Sequence, residues 1–310
     1  MKKKINLNYY FSQVFVKQLK RLGVKDVCIS PGSRNTPLTM AFANERGIKK
    51  HIIIDERSSA FFALGIAKAK GIPAAILTTS GTATAELYPA IIEAYNSRIP
   101  LIVITADRPP ELIDTGANQT IHQANMYANH IRLFVDAGLP KINNLALKRI
   151  QQKATDLFLS ASVKNRGPVH INFPFRKPLE PFSFNAELEK DVHDYYLKND
   201  ASGKSLKLKR GEIKPSLVKK IKNAERPLIL AGLDNYDDDF AEQVINLSYK
   251  MNAPIIADIY SNLRFGNNCE NIISQAGNFL RSKEIDKKFE PDLIIQFGNA
   301  PTVNSLLEFF

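Results

Sequence analysis

Residues 51–107 read HIIIDERSSAFFALGIAKAKGIPAAILTTSGTATAELYPAIIEAYNSRIPLIVITAD. Three short apolar runs, at 51–55, 73–79 and 100–106, alternate with two stretches of helical character, 56–71 and 80–98. Strands that are apolar at nearly every position are buried on both faces. Their alternation with helices predicts a parallel sheet covered on both sides, an α/β fold. Gly71 ends the first helix, because glycine takes the left-handed conformation of a helix stop without penalty.

The same pattern extends outward. Before it, Phe11, Val14, Phe15, Val16, Leu19 and Leu22 form a helical stripe ending at Gly23, followed by a strand from Asp26 to Ser30 and a loop, PGSRNTP, from Pro31 to Pro37. After it come an irregular segment, DRPPELIDTGANQTIHQANM, a helix over 146–163 and a strand, PVHINFP. The first domain is expected to span 1–178. A proline-punctuated, charged linker follows at 179–213, then a second α/β unit at 214–310 carrying RPLILAG, APIIADI and PDLIIQFG.

Composition narrows the function. Of 310 residues, 44% are hydrophobic and 24% charged, which excludes disordered, collagen-like and disulfide-stapled chains. Cys28 reads as a core thiol and Cys269 is remote, so neither a disulfide nor a cysteine metal site is expected. The start, MKKKINLNYYF, has no apolar signal core, and no run approaches the ~18 residues of a membrane span. Cytoplasm is the expected compartment. Net charge is +11. The densest basic stretch, Lys204 to Lys222, lacks interleaved aromatics and reads as a linker entering an amphipathic helix, so nucleic acid is not the expected partner. A solvated lysine-rich surface and attraction of small anions both remain open.

In open parallel sheets ligands bind beyond the carboxyl ends of the strands. Four polar segments fall there: 31–37, 55–57, 79–82 and 107–123. Glu56 opens a helix after HIIID. It reads either as a first-turn carboxylate favoured by the helix dipole or as an acid presented to a ligand nitrogen. Thr79, Ser80, Gly81 and Thr82 form a strand-to-helix turn, either a plain cap or a holder of a polar ligand through free N–H groups. This turn lacks the lysine of a phosphate loop and the GxGxxG spacing of a dinucleotide fold. Ser33, Arg34 and Arg108 stand on proline-stiffened loops, and guanidinium forks suit carboxylates. Asn118, Gln119, His122 and Gln123 add amides and an imidazole, while five histidines in all show no metal-ligand spacing.

Together SPGSRNTPLT, DERSSAFFALGIAKAKG, TTSGTATAELYPAIIEA, ITADRPPEL and GANQTIHQ closely resemble the 2-succinyl-5-enolpyruvyl-6-hydroxy-3-cyclohexene-1-carboxylate (SEPHCHC) synthase family of thiamine-diphosphate enzymes. The resemblance covers about 8–178 and is looser over 215–310, where ADIYSNLRFG and QFGNAPTVN carry it. It implies decarboxylation of 2-oxoglutarate and 1,4-addition of the resulting carbanion to isochorismate, a step of menaquinone biosynthesis. It also implies that Glu56 bonds the cofactor's aminopyrimidine and that Thr79, Ser80, Gly81 and Thr82 border it. Ser33, Arg34, Arg108 and Gln119 would line the pocket for two small dicarboxylates. The fold implied is a pyrimidine-binding domain, a central domain and a diphosphate-binding domain whose GDG motif holds Mg2+. No GDG occurs here. The expectation is therefore an incomplete central domain with magnesium and diphosphate ligands on a domain absent from this chain, which would be inactive alone. The family's subunits pair to a homo-oligomer, dimer or tetramer, and a separate diphosphate-domain chain is a possible partner. His122 stands where the family often has arginine, and Asn304 near a frequent lysine. Another thiamine-diphosphate carboligase or decarboxylase subunit, or a non-catalytic regulatory paralogue, are the competing readings.

Overall fold

A computed structural model describes residues 2–163, 165–197, 213–234, 236, 239–281 and 290–309. The chain divides into two compact units, 1–208 and 209–310.

The first unit contains, in order, β1 (Lys2–Ile5), α1 (Leu7–Leu22), β2 (Asp26–Ile29), α2 (Thr36–Asn44), β3 (Lys49–Ile52), α3 (Glu56–Lys70), β4 (Ala74–Thr78), α4 (Thr82–Glu86), α5 (Tyr88–Asn96), β5 (Leu101–Asp107), β6 (Phe134–Asp136), α6 (Asn144–Ser162), β7 (Pro168–Pro174), β8 (Ala186–Glu189) and α7 (Lys190–Leu197). Six strands form one sheet in the order β3-β2-β4-β5-β7-β6, and every pair is parallel. The central strands β2, β4, β5 and β7 are buried at every residue. Their side chains alternate between two cores. Val27, Ile29, Leu77, Ile102 and Ile104 face α1, α2 and α6, while Cys28, Ile76 and Val103 face α3 and α5. Cys28 is the core thiol expected, and burial pushes its pKa up to about 12.

Four features depart from the sequence reading. Strand β3 stops at Ile52, so Ile53–Asp55 form the turn into α3. The stretch 80–98 is two helices, because Pro89, with no N–H and a ring that clashes with the carbonyl four residues back, breaks it at Leu87. Helix α2, begun by Thr36 and Pro37, lies where a loop runs into unassigned sequence. Last, the first unit continues past 178: β8 pairs antiparallel with β1, and Tyr196 of α7 is buried in the core. Asn6 fixes this return. Its amide donates to the carbonyls of Pro178, Glu180 and Ser183, while its side-chain oxygen caps α1 at Tyr9. The rest of the expected linker, 198–212, and with it the first part of the basic stretch, 204–212, lie outside the described residues.

The second unit has α8 (Pro215–Asn223), β9 (Pro227–Ala231), α9 (Phe240–Met251), β10 (Ile255–Ala257), β11 (Ile272–Ile273), α10 (Ala276–Phe279), β12 (Leu293–Phe297) and α11 (Asn304–Phe309). Its strands form a parallel sheet in the order β11-β10-β9-β12. Gly232 is required after β9, since a Cβ there would lie 1.9 Å from the Asn299 carbonyl oxygen.

Candidate functional site

Strands β2, β4, β5 and β7 run parallel, so the loops that follow them emerge at one end of the sheet. The first is 31–35. Gly32 lets it lie against the next turn, because a Cβ would stand 2.5 Å from Thr79 Cβ. Asn35, fully buried, donates to the Ser30 carbonyl and ties the loop back. This sets Arg34, half-buried, whose guanidinium donates to the Phe175 carbonyl beyond β7 at 2.8 Å. Ser33 is exposed at the tip.

Thr78, Thr79 and Ser80 are buried as β4 ends, and Thr82 is exposed at the start of α4. Gly81 adopts φ 80°, a left-handed value that suits glycine. Neither Ser80 nor Thr82 caps the helix; Gly81 holds that position without a side-chain bond. Its N–H, expected to be free for a ligand, is instead donated to Gln123 Oε1 at 3.1 Å. The Arg108 guanidinium, from the loop after β5, donates to Ser80 Oγ. Gln119 Nε2 donates to the Ser80 carbonyl at 2.9 Å. The structure thus brings Arg34, Thr79, Ser80, Gly81, Arg108 and Gln119 to one place.

Charge there is unbalanced. Burial, and then the charge of Arg108, push Arg34 below its ordinary pKa, against the pull of Asp107. Burial likewise lowers Arg108, again opposed by Asp107. Asp107 forms no ion pair with either; its Oδ1 accepts from the Arg108 backbone N–H at 2.7 Å and its Oδ2 from Asn172 Nδ2 at 2.8 Å. Two half-buried guanidiniums without a carboxylate partner among the described residues are a standing cost that an anionic ligand would relieve.

Glu56 takes part in none of these bonds. It is the first residue of α3, beyond the end of the edge strand β3, and half-buried. Asp55 caps the helix by accepting from Ser58 N–H at 2.7 Å, so Glu56 is not spent as the cap. Among the described residues no hydrogen bond engages its carboxylate. His122 and Asp114 pair at 2.7 Å, both on the surface. Asn304 begins α11 in the second unit.

One buried residue of this region carried little signal in the sequence. Asn172 lies inside β7, in a run otherwise read as a plain core strand, and its only mark is an amide where apolar character is the rule. Gln123, one of the amides read in the irregular segment, is fully buried and bonded to it. A cavity of about 410 Å3 opens elsewhere in the first unit, lined by Tyr9, Tyr10, Phe182 and Phe184 among others, and none of the candidate residues lines it. Among the described residues no group of three or more His, Cys, Asp or Glu side chains is placed to hold a metal ion, and no helix is long and apolar enough to cross a membrane.

Residues 10–126 match the family model of the thiamine pyrophosphate enzyme N-terminal TPP binding domain. A SEPHCHC synthase of Bacillus cytotoxicus is 41% identical over 305 residues, covering 98% of this chain and 51% of its own length. Those of Oceanobacillus iheyensis and Haloquadratum walsbyi are 40% and 37% identical over 94% and 98% of the chain, and half of their own. The chain spans about half the length of the curated relatives it matches.

Proposed function

We propose that this chain supplies the pyrimidine-facing half of a thiamine-diphosphate-dependent SEPHCHC synthase, acting in the cytoplasm as a homo-oligomer. The observation that carries the reading is the pair Arg34 and Arg108, half-buried at the sheet's carboxyl end with no carboxylate partner among the described residues. Such a pair suits small dicarboxylates, and both 2-oxoglutarate and isochorismate are dicarboxylates.

The residues present fit the aromatic half of the cofactor. Glu56 offers a half-buried carboxylate without a hydrogen-bond partner among the described residues, beside the exposed Ile54. A nitrogen-bearing aromatic ring needs that combination of an acceptor and apolar surroundings. When bound, the cofactor supplies the electron sink for decarboxylation. Glu56 would hold a proton at a ring nitrogen, and Thr79 to Thr82 would border the ring. Arg34 and Arg108 would orient the substrate carboxylates, Ser33 would sit at the pocket mouth, and Gln119 would keep the Ser80 turn in place. Mg2+ and the diphosphate would be held by residues outside this chain, on a diphosphate-binding domain that completes the site.

The test is to supply the complementary half of a curated relative and to assay carbon dioxide release from 2-oxoglutarate with isochorismate present. Activity is expected only in the mixture. Glu56→Gln should lower it by ~10²–10⁴-fold, the usual worth of a positioned proton-transfer group. Glu56→Gln activity within about threefold of the unaltered chain would remove Glu56 from the reaction.

A further inference from the structure

Asp107 poses a problem for the arginine site. It is almost wholly buried at the end of β5, next in sequence to Arg108 and close enough to Arg34 for its charge to be felt there. A carboxylate in that position would ordinarily pair with the guanidiniums and close the site to any anionic ligand. Here both its oxygens are taken by amide donors instead, Asn172 Nδ2 on one and the Arg108 backbone on the other.

Asn172 is itself held in one orientation. Its oxygen accepts from Thr105 Oγ1 and from Gln123 Nε2, each at 2.8 Å. Gln123 is fixed in turn by donating to the Ala106 carbonyl and accepting from Gly81 N–H. Thr105 has one proton and gives it to Asn172, so the ring of His170, 2.8 Å away, donates from Nε2. His170 is fully buried, which pushes its pKa down to about 3 and keeps it uncharged. The bonds run in one direction, from His170 to Thr105 to Asn172 to Asp107, with Gln123 also donating to Asn172.

We infer that Asn172, backed by Gln123, is a positioning residue: it holds the Asp107 carboxylate turned into the strand ends, so that Arg34 and Arg108 stay open to a carboxylate ligand. The inference rests on the reading of these arginines as a dicarboxylate site. The groups facing Asp107 are Arg108 on its own loop, Arg34 after β2, Asp136 on β6 and the neutral His170 on β7. Burial, aided by Asp136, raises the Asp107 pKa above its ordinary value, against the hydrogen bonds from Asn172 and the Arg108 backbone and the charge of Arg108.

The experiment titrates succinate into the 310-residue chain, followed by NMR. Asn172→Asp puts a second carboxylate where the amide was. Asp107 is then repelled toward the arginines, and affinity at pH 7 should fall by about tenfold or more. Lowering the pH should restore it, as the carboxylate pair takes up a shared proton. The exchange variant Asp107→Asn/Asn172→Asp keeps every hydrogen bond and moves the charge inward, so it should bind within about threefold of the unaltered chain. Where Asn172→Asp does not fold, Asn172→Ala replaces it, and adding Asp107→Asn to Asn172→Ala should restore affinity. A merely structural role would give neither the pH recovery nor the rescue. Unaltered affinity in Asn172→Asp or Asn172→Ala, or failure of both rescues, overturns the inference. Arg108→Ala separates the two claims: unaltered succinate binding in that variant sinks the dicarboxylate reading itself.

Discussion

Asp26 begins β2 almost completely buried, yet it is charged because Lys70 Nζ meets it at 2.5 Å and the His51 ring bonds it through Nε2 at 3.1 Å. Burial opposes that charge, but the bonds from Lys70 and His51 outweigh it and hold the carboxyl below its usual pKa. A carboxyl depressed in the folded state adds stability above its unfolded pKa, about 3.9, and that stability is lost as pH falls through the folded value. Asp26→Asn should therefore cost about 1–2 kcal/mol at pH 7, reduced because Lys70 can rehydrate, and the difference should shrink below about pH 4. Calorimetric unfolding at the two pH values checks it; an equal loss at both would assign the effect to packing. For Arg34→Ala and Arg108→Ala the expectation is weaker dicarboxylate use, each by about 1.5–3 kcal/mol, with cofactor affinity little changed. Michaelis constants and turnover in the completed enzyme decide that. As candidates, these arginines stand out in the sequence because they lie in polar, proline-stiffened segments just after apolar strands, and Glu56 because it opens a helix just after one. Asn172 does not, because one amide inside an apolar strand reads as a tolerated exception until its neighbours are known.

The loop 31–35 and the turn at 79–81 form one element in space, and Gly32 is the reason they can touch. Gly32→Ala would place a methyl 2.5 Å from Thr79 Cβ, which is buried and β-branched and has nowhere to move. Overpacking of this kind costs about 1–3 kcal/mol. Because the loop is the softer side, the strain should lift it and carry Arg34 away from Arg108. Succinate affinity should then fall along with stability, and Thr79→Gly in the same chain should recover both. A Gly32→Ala chain that unfolds and binds like the unaltered one would show that the two segments move independently. At this scale the central strands β2, β4, β5 and β7 were read well, since each buried run is continuous and sharply bounded, whereas the partly exposed β3 was read three residues late at its end and β1 and β8 were not read. The helices were read less well where one residue's backbone chemistry decides: Pro89 splits α4 from α5 within a stretch whose apolar spacing runs on unbroken. Strands of two or three residues, β6 and β11, have no period to read.

For the whole molecule, the surface of the first unit carries an apolar strip that its own core does not use. Ile52 and Ile54, at the end of the edge strand, are 63% and 83% exposed, and Phe61 and Phe62 on α3 are 44% and 49% exposed. Edge strands invite another strand, but β3 begins Lys49–Lys50, and charged residues at an edge oppose strand addition. The association the strip favours is therefore helix against helix, through α3 and its neighbour α5, which exposes Ile92. Glu56 opens α3, so a second copy seated there would also shut water out around that carboxylate. The chain is expected to dimerise at micromolar concentration in sedimentation velocity. Phe61→Ser with Phe62→Ser should shift it to monomer while leaving the unfolding midpoint within a few degrees, since neither ring is in the core. A monomer at high micromolar concentration in the unaltered chain would refute the association. A double variant that stays dimeric would move the interface to another face of the first unit.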